Sequence, residues 1–363
     1  MNGEKEILDD DGAIKQDKPL VTIILTLFNN ENSVVETVKS ILNQTYQNLE
    51  IIITDNASTD TTIQLIQKFI RSDCRIRILE EEAIETIYAE KEALIKSKGK
   101  YIAFANPGKL MSPYYIEYMV ANIQKQKAQI VTCDFFSIPL TEFFSENQIR
   151  KKSPHENIEK ITTDQYIQKL YSKSEHTYQE CIVKWNKLID KKWLLSTKYI
   201  RNLNTQDTSY EILENPGAEI VTTNQFLICD VKFDGYYEER CFTYEHLDTI
   251  KFLESLILKA KNENNAIAVY NTSLRLLKFL LKVREQLSFY NLVLYDKKKL
   301  RKGTDLKFNS IYKFLISRYP SKNVEYQQYN RQYRELLKFE RFRAENFFLY
   351  PEYTQDYPTE LYD

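Results

Sequence analysis

The sequence predicts an α/β fold: a doubly wound, mostly parallel sheet flanked by helices, followed by a C-terminal helical region. Three observations carry this. Apolar β-rich runs alternate with amphipathic helical stripes between residues 19 and 135. The strand segments are almost uninterrupted hydrophobic runs, as expected of parallel strands covered on both faces. Beyond residue 249 the apolar spacing becomes purely helical. At roughly 150 residues per domain, the 363 residues suffice for two domains and a helical appendage. The expected divisions are a polar, flexible leader over 1–18, a first half over 19–135, a mixed second half over 136–248 and the helical region over 249–363.

The elements follow in order. Residues 20–28 (LVTIILTLF) form a buried strand. Ser33 with Glu36 then reads as a capping box, ahead of a helix whose apolar face is Val34, Val35, Val38, Ile41 and Leu42. Residues 49–55 (LEIIITD) are a second strand, and Ile63, Leu65, Ile66, Phe69 and Ile70 stripe a second helix. A short strand at 76–79, a helix at 84–97, a strand at 100–105, a helix at 113–125 and a strand at 128–135 complete the alternation. In such folds ligands bind at the carboxyl ends of the strands. From 136 to 248 the alternation weakens, and beyond it Ile267, Tyr270, Leu274, Leu277 and Leu281 recur at helical spacing over about two heptads, the length of a packed bundle rather than a long coiled coil.

Composition excludes several classes. A formal net charge of -1 gives no reason to expect nucleic-acid binding. The seven glycines stand apart, so no dinucleotide fingerprint, P-loop or nucleophile elbow is present. Three scattered histidines and five cysteines without a Cys-x-x-Cys argue against a structural zinc site. The odd cysteine count and the lack of a hydrophobic N-terminal segment point to a reducing, cytoplasmic setting, and no apolar run is long enough to cross a bilayer.

Asp55 ends the second strand, and Asn56, Ala57, Ser58, Thr59 and Asp60 follow before the next helix. A carboxylate there can accept hydrogen bonds from a uridine's imide and ribose hydroxyls, while the helix start behind it can receive phosphate. Ser58, Thr59 and Asp60 equally suit plain helix caps.

The chain's first structured residues resemble the family 2 glycosyltransferases of the GT-A fold. The segment 21–32 (VTIILTLFNNEN) is similar to that family's opening strand and Pro-Val-Tyr-Asn-x-Glu loop, and 40–60 (SILNQTYQNLEIIITDNASTD) to its Ser-Ile-Leu-Asn-Gln-Thr segment and Asp-Asp-Gly-Ser-Thr-Asp loop. The resemblance implies that Thr26, Phe28, Glu31 and Asp55 hold the uracil and ribose of a sugar nucleotide, making 19–135 the nucleotide-binding half and 136–248 the acceptor-side half. The strand 99–104 (GKYIAF) matches too, but Ala105, Asn106, Pro107, Gly108 and Lys109 replace the family's metal-holding Asp-x-Asp. Asn106 and Gly108 lack the hard anionic oxygens that magnesium or manganese needs, so no cofactor is expected. The family's Ala-Arg-Asn-x-Gly becomes Ala89, Glu90, Lys91, Glu92 and Ala93, with an acid where a cation would face phosphate. Trp185 and Asn186 begin a stretch similar to the family's acceptor-side Trp-Asn-Lys-Leu, although Trp185 also suits a core position. The resemblance makes Asp207 the surviving counterpart of the family's base, although a lone Asp in a polar loop equally suits a solvated turn residue.

Two readings follow from the resemblance. One is a protein of bacterial surface-glycan or glycoprotein assembly with a degraded diphosphate site and no catalysis, its tyrosine-rich helical tail contacting a partner glycosyltransferase. The other is an active, metal-independent inverting transferase that uses a UDP-sugar, Asp207 as base and Lys109, or next Lys100, in place of the cation. Lys297, Lys298, Lys299, Arg301 and Lys302 are read as a solvated loop between helices, with peripheral contact at the membrane's inner face as the alternative.

Overall fold

The structure, a computed structural model, describes residues 18–80, 86–142, 156–197, 217–232, 245–289 and 297–345. Asp207 lies outside the described residues. The chain divides into two compact units, residues 1–166 with 179–234, and 167–178 with 235–363.

The first unit opens with β1 (Val21–Leu27), α1 (Val34–Leu42), β2 (Leu49–Asp55), α2 (Thr62–Ser72), β3 (Ile76–Glu80), α3 (Thr86–Lys96) and β4 (Tyr101–Ala105). It continues through β5 (Lys109–Met111), α4 (Tyr115–Gln126), β6 (Ile130–Pro139) and β7 (Ile158–Thr162). The chain then passes through α5 (Thr163–Leu170) and α6 (Glu175–Ile182), of which residues 167–178 belong to the second unit, and returns as β8 (Lys187–Asp190), α7 (Lys191–Ser196) and β9 (Glu219–Lys232). One mixed sheet runs in the order β3-β2-β1-β4-β8-β6-β9-β5, with β7 also on β9. The pairs β3–β2, β2–β1 and β1–β4 are parallel, as the alternating sequence predicts. The short β5, β7 and β8 pair antiparallel with their neighbours, whereas β6 and β9 run parallel.

Local chemistry explains the register. In β1 every residue but Thr26 is buried, and valines and isoleucines of β1, β2, α1 and α4 share one core. At the amino end of the sheet, a Cβ on Gly99 would lie 2.5 Å from both the Thr22 amide nitrogen and its Oγ1, so only glycine lets β4 approach β1. The Gly99 amide donates to Thr22 Oγ1 at 2.9 Å, and that hydroxyl donates to Glu50 Oε2 at 2.6 Å. This clamp lies at the end of the sheet opposite the carboxyl ends of the strands.

Two local expectations change. Ser33 occupies the N-cap position of α1, yet its side chain accepts no helix N–H, and Glu36 pairs with Lys39 instead of closing a capping box. The 14-residue β9 (EIVTTNQFLICDVK) was not evident in the sequence. Its polar stretch Thr222–Gln225 interrupts the alternation, and what makes it a strand is pairing on both sides, with β6 on one edge and β7 then β5 on the other.

The second unit holds α8 (Glu245–Asn262), α9 (Ala266–Phe289), α10 (Lys297–Arg318) and α11 (Asn323–Glu345), and α9 packs against the other three. Tyr270, Leu277 and Leu281 of the predicted stripe are buried, whereas Ile267, in the first turn, is 68% exposed. Arg284 of α9 binds Glu340 of α11 through two donor–acceptor pairs at 2.9 and 2.6 Å and donates to Asp305 of α10 at 2.8 Å. One buried guanidinium thus ties three helices. Among the described residues no helix is long and apolar enough to cross a membrane.

Candidate active site

The strand order reverses between β1 and β4, the switch point at which open α/β sheets form a crevice beyond their carboxyl ends. Thr26 is the penultimate residue of β1 and Phe28 follows the strand, Asp55 closes β2 opposite Leu27, and Asn106 follows β4. The parallel register therefore brings the four predicted nucleoside residues to one end of the sheet. Thr54 donates to Thr26 Oγ1 at 3.1 Å, and Phe28 is 49% exposed.

The two loops after β1 and β2 are laced together. The Asn29 amide donates to Ser58 Oγ at 3.0 Å, and Asn29 Oδ1 accepts the Thr59 amide at 2.8 Å. Glu31 donates its amide to Asp60 Oδ2 at 3.1 Å, while its own Oε2 accepts from the Thr61 hydroxyl at 2.7 Å and the Thr61 amide at 3.1 Å. Asn29 and Ala57, with φ of 50° and 57°, supply the left-handed turns that let these loops meet. Burial pushes the Asp60 carboxyl up, but its hydrogen bonds to Thr62 and Glu31 outweigh this and hold it below the usual carboxylate range.

Ser58 is more than a helix cap. Its hydroxyl, held by the Asn29 amide, donates to Asp55 Oδ1 at 2.5 Å, and its amide donates to Asp55 Oδ2 at 3.2 Å. The helix N-cap itself is Thr61. An ionised carboxylate offers about four acceptor positions, so Asp55 is oriented by Ser58 and retains capacity for further donors. Glu31 acts as the clasp between the loops.

Where the family resemblance led to a metal motif, the chain makes a tight turn instead. Asn106 C=O accepts the Lys109 amide at 3.0 Å, with Pro107 and Gly108 between them and Gly108 at φ 79°. Pro then Gly is the preferred pair for a type II turn. The turn is held on both sides: the Gly108 amide donates to Thr37 Oγ1 of α1 at 2.9 Å, and Gly108 C=O accepts the Val231 amide at 2.9 Å. Among the described residues no three His, Cys, Asp or Glu side chains gather as a metal cage. The donors at the turn, an exposed Asn106 and a side-chain-free Gly108, do not fit a hard divalent cation.

Lys109 stands opposite Asp230 in the β5–β9 register, and the two side chains form an ion pair. Its ammonium also lies 5.7 Å from the Trp185 ring centroid. Asp230 is buried; its Oδ2 accepts from Ser137 Oγ at 3.0 Å and from Lys232 at 2.8 Å. Burial raises the Asp230 carboxyl, but attraction to Lys109 and then Lys232 prevails and keeps it below the usual carboxylate range. The cation proposed to face phosphate is thus already bound to a carboxylate.

Glu90 is likewise not the bare negative charge that the sequence implied. Lys184 donates to both its oxygens, at 2.7 and 2.8 Å, within a buried pair, and stands 5.2 Å from the Phe104 ring centroid. Asn186 is fully buried and works inward: its amide donates to Cys133 C=O at 2.9 Å and Glu180 C=O at 3.0 Å, and its Oδ1 accepts from Lys187 at 2.8 Å. Trp185 is buried edge-on against Phe135 at 4.7 Å between centroids.

Sequence reasoning missed Asn29, Thr37, Lys184 and Asp230. Two signals were available: the Pro107-Gly108 turn dipeptide, and the lone acid in the apolar run FLICDVK.

Comparison with known proteins agrees with this architecture. Residues 22–190 match the family Glycosyl transferase family 2. The chain is 29% identical over 119 residues to the glycosyltransferase GlyG of Streptococcus pneumoniae, covering 32% of this chain and 40% of that protein. It is 35% identical over 104 residues to the Escherichia coli UDP-Glc:alpha-D-GlcNAc-diphosphoundecaprenol beta-1,3-glucosyltransferase WfaP, covering 28% of this chain and 39% of that protein. The matched stretch thus spans less than half the length of either relative. The structure of S. aureus TarS 1–349 in complex with UDP-GlcNAc shares the fold at a TM-score of 0.50 and 13% identity, over 87% of this chain and 92% of that one. Sequence match and strand order agree: residues 22–190 are similar to the family 2 glycosyltransferases, and the chain shares the fold of the TarS structure.

Proposed function

We propose that this domain binds a UDP-sugar in bacterial surface-glycan assembly, with its diphosphate side rebuilt around internal ion pairs, so that it serves as a binding, non-catalytic member of its family. The observation that carries the reading is the contrast between the two sides of the crevice. On the nucleoside side, Asp55 is oriented by Ser58 with acceptor capacity to spare, and Phe28 offers an open ring face for a base. On the phosphate side, Lys109 is bound to Asp230 and Lys184 to Glu90, which leaves neither cation unopposed. Transfer needs positive charge on the departing diphosphate, and losing one such group typically costs about two to three orders of magnitude in rate.

UDP as the nucleotide is supported by the donor in the name of the E. coli relative, and surface glycan by that relative's lipid-diphosphate acceptor. A cytoplasmic setting is supported by Cys74, Cys133, Cys181 and Cys229, which are all free thiols. The competing reading, metal-independent transfer with Asp207 as base, requires Lys109 to leave Asp230 for the diphosphate. Calorimetric titration with UDP and UDP-sugars, with and without manganese, separates them. The expected outcome is metal-independent micromolar binding without donor turnover. Measurable transfer that Asp207→Asn abolishes would establish the enzyme instead, and no binding at millimolar nucleotide would remove the nucleotide reading.

A further inference from the structure

The sequence KKKLRK at 297–302 does not lie in a loop. It forms the first turns of α10, a helix with eight cations and one acid, Asp305, in a chain whose net charge is -1. Asp305 is taken up by Arg284 and Tyr333, at 2.8 and 2.7 Å. At 100° per residue, the buried Thr304, Phe308 and Leu315 fall on one side of α10. Opposite it stand Lys299, Lys302, Leu306 and Lys313, with Lys298 and Ile316 on the adjoining flank about 100° from the buried side, all exposed, the two aliphatics at 64% and 43%. Among the described residues no carboxylate pairs with any of these four lysines, whereas Lys307, off this face, pairs with Glu254. Clustered positive charge in the first turn also opposes the helix dipole, a cost that an external anion relieves.

We propose that this face of α10 is a docking surface for an anionic phospholipid bilayer. Charge complementarity supplies the attraction, and the two aliphatics flanked by lysines suit the headgroup boundary, where apolar groups enter and ammonium ends stay with phosphate. A nucleic acid would use the charge but has no comparable use for Leu306 and Ile316; an acidic protein is the competing occupant against which the test below sets the bilayer. The proposal stands independently of what the crevice binds.

The test is flotation of the full chain with phosphatidylcholine vesicles, with and without phosphatidylglycerol. Wild type should float with the anionic vesicles only and be released by high salt. Each lysine near an anionic leaflet is worth roughly fivefold in partitioning, so changing all four to Gln should lower it at least about a hundredfold. Leu306→Gln with Ile316→Gln should weaken binding at constant charge. All six positions are exposed, so an unchanged circular dichroism melt should confirm folding. Equal binding to neutral vesicles, undiminished binding of the four-lysine variant, or preferential capture by duplex DNA or an acidic polypeptide would overturn the proposal.

Discussion

Lys109 and Asp230 stand directly opposite each other on the antiparallel β5–β9 pair, joined by an ion pair whose carboxylate is buried. Removing one partner of a buried pair leaves the other uncompensated, at a typical cost of about 3–5 kcal/mol. Lys232 also binds Asp230, so Lys109→Met should fall at the lower end, about 3 kcal/mol in urea unfolding. A loss below about 0.5 kcal/mol, the size of an ordinary surface substitution, would mean the pair is incidental.

The same carboxylate gives a pH dependence. Asp230 is held below its ordinary value in the folded chain, so its stabilising contribution is full above the unfolded-state carboxylate value and fades as pH falls through the folded one. The window lies below about pH 4. Asp230→Asn should flatten the decline of stability there, as read from urea midpoints across pH, and an acid limb identical to wild type would dismiss Asp230 as a contributor.

Glu90 and Lys184 make a second buried pair, suited to a double-mutant cycle. Glu90→Gln or Lys184→Met alone should destabilise strongly, whereas the double variant should recover at least about 1–2 kcal/mol of the summed loss. Strict additivity would show that the two charges do not compensate each other.

At the nucleoside side, Asp55→Asn should weaken UDP binding about tenfold to a hundredfold, the usual worth of hydrogen bonds to a charged group. Ser58→Ala, which frees the carboxylate to rotate, should cost less, about tenfold at most. Calorimetry reads both, and an unchanged dissociation constant for Asp55→Asn would remove that residue from the site.

Rebuilding the metal motif tests the diphosphate side. Asn106→Asp with Gly108→Asp supplies two carboxylates, but Gly108 sits at φ 79°, where a side chain costs about 1 kcal/mol. The double variant should melt a few degrees lower and gain manganese-dependent UDP affinity. A variant that melts lower without gaining metal dependence would show that the turn geometry, beyond its side chains, excludes the cation.

The sequence by itself determined the first half of the sheet. Runs such as VTIILTL and LEIIITD, short, β-branched and bounded by turn residues, read as strands buried on both faces, and the parallel pairing that follows carries Thr26, Phe28 and Asp55 to one end of the sheet. That much is local pattern plus hydrophobic burial, which one dimension can express. Tertiary structure decided which charges face one another. Glu90 is separated from Lys184, and Lys109 from Asp230, by roughly a hundred residues of chain, and β9 becomes a strand only because neighbours flank it on both sides. Electrostatic compensation depends on distance in space, which the order of residues does not encode; hence Glu90 and Lys109, read from sequence as a repelling acid and a free cation, are each half of an internal pair.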